Sequence, residues 1–166
     1  VMGERYRPEY NTVDVRHILI APEENTLSTD DEGYDAETEA NNAAAKEKAQ
    51  EVLNEYLAGE HTADAFGELA KEYSSDSNAS EGGLYTQVYK GQMADAFENW
   101  CFDANRKPGD TGIVETTYGY HVMYFQGEDL PYWEVRCING LYSDWQNGIY
   151  DGANVKVHTL GLKAVG

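Results

Sequence analysis

Four histidines and two cysteines are the side chains in this sequence best suited to acid–base, metal-binding or nucleophilic chemistry. His17 and His121 fall inside segments that read as strands, whereas His61 and His158 sit near the ends of elements. A metal centre needs three or four ligands at compatible spacing. Neither HExxH nor a CxxC paired with histidines occurs, so no metal site is expected. Cys101 and Cys137 lie 36 positions apart and form no dithiol motif. Two buried free thiols are the simpler reading, and a disulfide stays open for an extracellular protein. No GxSxG, phosphate loop or GxGxxG is present, and Gly82-Gly83 alone marks a turn. A strand histidine by itself is more often a hydrogen-bonded core residue than a catalyst. The elements around these histidines must therefore decide their role.

Residues 13–20 alternate so that Val13, Val15, His17 and Leu19 share one strand face. A helix is expected over 37–58, with Ala45, Ala49, Val52, Leu53, Tyr56 and Leu57 on one stripe and Gly59 at its end. A second helix starts near Thr62 or Asp64 and carries Phe66, Leu69, Ala70 and Tyr73 at helical spacing. Residues 74–83 read as loop and 84–89 as a short strand; Met93, Phe97, Trp100 and Cys101 again have helical spacing. After the turn at Lys107-Pro108-Gly109-Asp110 come strands at 112–115 and 120–126, joined by a hairpin at 116–119. Beyond Pro131 the pattern suggests a strand at 133–138, a polar helix at 139–150 carrying Leu141, Trp145 and Ile149, and a strand at 154–162. The fold class is α+β.

With 30 acidic against 12 basic residues, the chain of 166 carries a formal charge of −18. Such a field repels phosphates and anionic lipid heads, which argues against a nucleic-acid or membrane-surface binder. The longest apolar runs fall far short of the ~20 residues that span a bilayer. A hydrophobic share of 41% with 12% aromatics is too high for a disordered acidic chain. Residues 23–40 hold eight acids and no lysine or arginine, and read as a solvated loop running into a helix. No secretory leader is visible in residues 1–10, and the abrupt ends suggest an excised fragment.

Six pieces occur in order: His17-Ile-Leu-Ile20; Ala65-Phe-Gly-Glu-Leu-Ala-Lys-Glu-Tyr-Ser74; Gly82-Gly83-Leu84; Gly91-Gln92-Met93 with Ala96-Phe97-Glu98; Lys107-Pro108-Gly109-Asp110; and Thr116-Thr-Tyr-Gly-Tyr-His-Val122. Each is weak alone. Together, over roughly 13–126, they closely resemble the parvulin-type peptidyl-prolyl cis/trans isomerase domain.

That resemblance implies a four-stranded, mostly antiparallel sheet surrounded by helices, with two histidines adjacent at its centre and no cofactor. The family's first-strand and last-strand histidines fall on His17 and His121, its threonine on Thr116, and its cysteine-or-aspartate position on Asp76. A nucleophilic role is excluded at Asp76, since a carboxylate cannot replace a thiol in thiol addition. The proline slot is similar to Met93 and Phe97, flanked by Leu84 and Gln92. The family's phosphate-binding basic loop is here the acidic stretch 23–39, so phosphoserine-proline specificity is not expected. Residues 13–130 form the implied isomerase domain, with an N-terminal flank at 1–12 and a C-terminal α/β extension at 131–166. This arrangement is similar to extracytoplasmic foldases, in which such a domain sits between chaperone segments. It implies an exported or lipid-anchored protein, with unfolded, proline-containing polypeptides as clients. The alternative is a peptide-binding chaperone module with little or no isomerase activity.

Overall fold

The computed structural model describes residues 10–146. Its elements are β1 (Asn11–Ile20), α1 (Tyr34–Ala58), α2 (Ala63–Tyr73), β2 (Leu84–Val88), α3 (Asp95–Cys101), β3 (Thr111–Thr116), β4 (Gly119–Pro131) and α4 (Tyr132–Gln146), with a 3-10 turn at Ala79–Glu81. The four strands form one sheet in the order β2-β1-β4-β3. Every pairing is antiparallel, so the expected "mostly antiparallel" sheet is entirely so. Contacts separate the segment ending at Tyr132 from the one beginning at Trp133, and the site lies wholly in the first.

The central strands β1 and β4 are buried on both faces, because helices cover both. On one face Ile18, Ile20, Tyr120, Val122 and Tyr124 pack against Ala45, Ala49, Val52 and Tyr56 of α1 and Phe66 and Ala70 of α2. On the other, Val13, Val15, Val114, Met123 and Phe125 pack against Phe97 and Cys101 of α3. Side chains alternate across a strand, so His17 and His121 belong to this second face. Two irregularities of register in β1, at 11–13 and 14–15, lie outside the regular ladder that runs from Val15 to Ile20 and positions His17.

Helix α1 begins at Tyr34, three residues earlier than expected. Gly33 takes a left-handed conformation there, and Asp35 and Glu37 face the N-terminal dipole. Glu37 also accepts from the backbone N–H groups of Thr26 and Leu27, which folds the acidic loop back onto the first helical turn. Leu57, expected on the buried stripe, is exposed. Thr62 caps α2, its hydroxyl accepting from Ala65 N–H at 3.1 Å.

The segment 133–138 is helical where a strand was expected. Trp133, Val135 and Cys137 alternate, but the wider pattern Ile138, Leu141, Tyr142 has helical spacing, and Pro131 ends β4 directly before it. The expected polar helix at 139–150 is therefore the later part of α4, as far as it is described. The expected strand at 154–162 and the flank before residue 10 lie outside the described residues.

Candidate active site

Two residues on neighbouring central strands make the core of the site. In the β1–β4 ladder Leu19 faces His121 and His17 faces Met123, so the two histidines are diagonal neighbours on one sheet face. Their Nδ1 atoms are 3.0 Å apart, and both rings are buried. On the far side His121 Nε2 lies 2.8 Å from Thr116 Oγ1, which also accepts from the Tyr118 N–H at 3.1 Å. Thr116 reaches that position because the β3–β4 hairpin turns tightly at Gly119. A Cβ there would collide with the carbonyl oxygen of Ile20, and the φ of +129° is one that L side chains rarely adopt.

Asp76 stands at the His17 end. Its Oδ2 faces His17 Nε2 at 3.7 Å, while Oδ1 accepts from Asn78 N–H at 3.0 Å and from the Tyr85 hydroxyl at 3.3 Å. The loop that carries it is tied to the end of β1: Leu19 N–H donates to Ser74 Oγ, and Ser75 N–H and hydroxyl both donate to the Leu19 carbonyl. At its other end His17 N–H donates to Gly83 O at 2.9 Å. Thr116, His121 and His17 thus form a polar row under an apolar cover, with the Asp76 carboxylate beyond hydrogen-bond reach at the His17 end.

Burial pushes the His17 imidazole down to about 4, with a further push from His121 and an opposing pull from Asp76. Burial lowers His121 as well, against the pull of Asp76. Both rings are therefore neutral at physiological pH, and each carries one N–H. The Asp76 carboxylate favours an N–H on His17 Nε2. Nδ1 of His17 then accepts from His121 Nδ1–H, and His121 Nε2 accepts the Thr116 hydroxyl proton. The reverse order would set a bare nitrogen against a carboxylate oxygen.

The cover is aromatic. Phe97 meets both histidine rings edge-on at 5.5 Å, and Tyr85 lies 5.1 Å from His17. Met93 is partly buried against the same cluster, but in the turn before α3 rather than on the helix its spacing suggested. Leu84 is not brought to this face. It pairs with Arg16, on the α2 side of the sheet, while Tyr85 pairs with Val15 on the histidine side. Tyr85, which sequence analysis does not single out, takes the histidine side instead, and alternation along 84–88 carries that signal by setting Leu84 and Tyr85 on opposite faces. Gln92 is exposed, its Oε1 accepting from Tyr89 N–H at 3.1 Å, and among the described residues no contact ties it to the histidines. Cys101 is buried at the end of α3 with its thiol pushed up to about 12 by burial; Cys137 is exposed, and both are free. Among the described residues no group of histidine, cysteine and acidic side chains is arranged to hold a metal ion. No described helix is long and apolar enough to cross a membrane.

Comparison with known proteins returns one family whose model matches the chain, the rotamase family, described as the PPIC-type PPIase domain, over residues 17–127. The chain is 33% identical over 119 residues to the foldase protein PrsA 1 of Listeria innocua, covering 71% of this chain and 31% of that relative. It is 34% identical over 135 residues to the foldase protein PrsA of Bacillus subtilis, covering 74% of this chain and 44% of that relative. The chain thus spans less than half the length of either. Among solved structures, a crystal structure of a PpiC-type peptidyl-prolyl cis-trans isomerase domain shares the fold with a TM-score of 0.56 at 19% identity, over 73% of this chain and 94% of that one.

Proposed function

The chain belongs to the rotamase family, a PPIC-type peptidyl-prolyl cis–trans isomerase domain, and from that premise we propose how this site turns an Xaa-Pro bond and on what. Rotation breaks amide resonance, a barrier of about 18–20 kcal/mol. Uncatalysed exchange takes tens to hundreds of seconds. No covalent step is needed. The enzyme must hold the proline ring and favour the twisted amide over both planar forms.

The observation that carries this reading is the row of Thr116, the two neutral histidines and the Asp76 carboxylate lying beneath Phe97, Tyr85 and Met93. Phe97 and Met93 grip the proline ring, with Tyr85 as the wall and Gln92 at the exposed rim. The two histidines form a rigid polar floor, oriented by Thr116 at one end and Asp76 at the other. As the amide twists, its carbonyl loses conjugation, and preorganised dipoles stabilise the altered charge. Each 1.36 kcal/mol of such preference is worth about tenfold in rate.

The clients are unfolded polypeptides with proline, met outside the cytoplasm; the chain's relatives named foldase protein PrsA support this. The acidic stretch 23–39, which leaves the sheet next to the hairpin that carries Thr116, disfavours phosphoserine before proline. The isomerase domain, 13–130, is read as an insertion between flanking segments of a longer, lipid-anchored protein. Support comes from Tyr10 and Tyr132, stacked at 5.2 Å with Tyr132 N–H donating to the Tyr10 carbonyl, so that the chain enters and leaves the sheet side by side.

The test is NMR exchange spectroscopy on an Ala-Pro peptide with and without the protein, and with His121→Ala and Asp76→Ala. Accelerated exchange, reduced in both variants, supports the isomerase. Shifted peptide resonances without acceleration would instead mark a peptide-binding module.

A further inference from the structure

Arg16 is next to His17 in the chain but projects to the opposite, α2-side face of the sheet. Its guanidinium takes up a slot walled by two glycines. A Cβ on Gly67, in the middle of α2, would lie 3.1 Å from Nη1, and one on Gly82 would lie 2.5 Å from it. Gly82 also has a φ of +70°. A glycine inside a helix weakens it, so Gly67 needs a packing reason, and the guanidinium is that reason. In a chain of charge −18, the partners of this half-buried cation are carbonyl oxygens: Nη1 donates to Gly82 O at 2.8 Å and to Glu81 O at 3.4 Å, and Nε is buried without a hydrogen-bond partner. A desolvated charge held this way is costly for stability alone.

Glu81 and Gly82 close the 3-10 turn at Ala79–Glu81. Within that turn the N–H groups of Glu81 and Gly83 both donate to the Asn78 carbonyl. The N–H of Asn78 in turn donates to Asp76 Oδ1, which leaves Oδ2 facing His17. From this geometry we infer that Arg16 is a positioning residue: it fixes the 78–83 turn from the α2 face so that Asn78 aims the Asp76 carboxylate at His17 on the other face. The Arg16-His17 dipeptide thereby holds one loop from both sides of the sheet. The inference rests on the isomerase reading for its catalytic consequence but not for its geometry.

The test compares wild type with Arg16→Met and Arg16→Lys. It reads the ring ¹⁵N shifts of His17 and His121 by long-range ¹H–¹⁵N NMR, together with kcat and KM for an Ala-Pro peptide. Arg16→Met is expected to move the His17 ring nitrogens from a single-tautomer pattern toward a mixture. Its kcat should drop roughly ten- to a hundredfold, as displaced catalytic groups do, with KM little changed. Arg16→Lys, which keeps one donor near Gly82 O, should recover part of both. If Arg16→Met fails to fold, Gly67→Ala crowds the guanidinium without removing it and should shift the ring pattern in the same direction. A folded Arg16→Met, or failing that Gly67→Ala, with a wild-type ring pattern overturns the inference, even if its melting temperature falls. A wild-type protein without isomerase activity would sink the functional reading, while the ring nitrogens would still decide the role of Arg16.

Discussion

His17 and His121 present the same nitrogen, Nδ1, to each other across 3.0 Å. Only one of the two can carry the proton. With both rings neutral, they must adopt opposite tautomers, and the groups at the two ends of the row choose which. Thr116 can give or take a proton, so it accepts either arrangement. Asp76 cannot, because a carboxylate only accepts.

Asp76→Asn tests that asymmetry with almost no change in volume. The amide can present either an oxygen or an NH₂ to His17 Nε2, so the preference between tautomers collapses. The expected result is a mixed ring ¹⁵N pattern for both histidines and a kcat lower by about tenfold, corresponding to 1.36 kcal/mol. Since the proline slot is untouched, KM should hold. An unchanged ¹⁵N pattern would show that the row is polarised from elsewhere.

The depressed histidines predict how stability depends on pH. His17 is lowered from 6.5 to about 4 in the folded chain, so between those values the unfolded chain binds the proton more readily. Stability is therefore full above about pH 6.5 and is lost as pH falls toward 4. His121, lowered in the same direction, adds to the loss. Urea midpoints from pH 7 to pH 4 should fall for wild type and fall less for His17→Asn. Isomerase activity should stay flat over about pH 7–8, because burial holds both histidines below their usual 6.5.

The α+β class and the individual strands around the site were legible because they rest on alternation and on local breakers. Val13, Val15 and His17 alternate, Lys107-Pro108-Gly109-Asp110 marks its turn, and Gly119 sits where a Cβ would strike Ile20 O. The proximity of Thr116, His121, His17 and Asp76 depends on contacts between residues distant in the chain, so it followed from the family resemblance rather than from any local pattern. The motif at the glycine pair points to Leu84, whereas the strand's alternation gives the histidine side to Tyr85. Arg16 carries no such signal. Its partners are backbone carbonyls and glycine Cα atoms, and no sequence pattern encodes those.

Tyr85 has two separable contributions. Its hydroxyl donates to Asp76 Oδ1, and its ring lies against His17. Tyr85→Phe removes only the first. It should lower kcat a few-fold while leaving KM for an Ala-Pro peptide in place. Tyr85→Ala opens the wall of the slot and should raise KM as well. Equal KM values for the two variants would remove Tyr85 from the slot.

Loss of a buried ring should affect substrate binding on the site face but not on the α1–α2 face. Phe66 is fully buried, with Tyr56 at 5.3 Å and Tyr124 at 5.4 Å between ring centroids. Phe66→Ala leaves a cavity and is expected to cost about 3–5 kcal/mol in urea unfolding. Phe97→Ala also removes a buried ring, from the core cluster on the site face, so it should cost stability as well and, unlike Phe66→Ala, raise KM. If Phe66→Ala cost less than Thr62→Ala, whose lost cap is worth about 1 kcal/mol, the packing described for that face would be wrong.

Substrate charge gives the remaining prediction. The chain holds no lysine or arginine between Arg16 and Lys46, and Glu23 and Glu24 follow Pro22. Pro22 packs within 3.0 Å of where a Cβ on Gly119 would stand, so the acidic segment leaves the sheet beside the hairpin that carries Thr116. A peptide whose residue before proline is basic meets an attractive field there, and an acidic one meets repulsion. In a series with Lys, Ala, Glu or phosphoserine before proline, kcat/KM should fall in that order. The spread should shrink at 1 M salt, where the Debye length is about 3 Å. Charge reversal at Glu23 and Glu24 to lysine should flatten or invert the series without altering turnover of the Ala peptide. A Glu peptide turned over faster than its Lys counterpart at low salt would show that the acidic loop does not govern selection at this site.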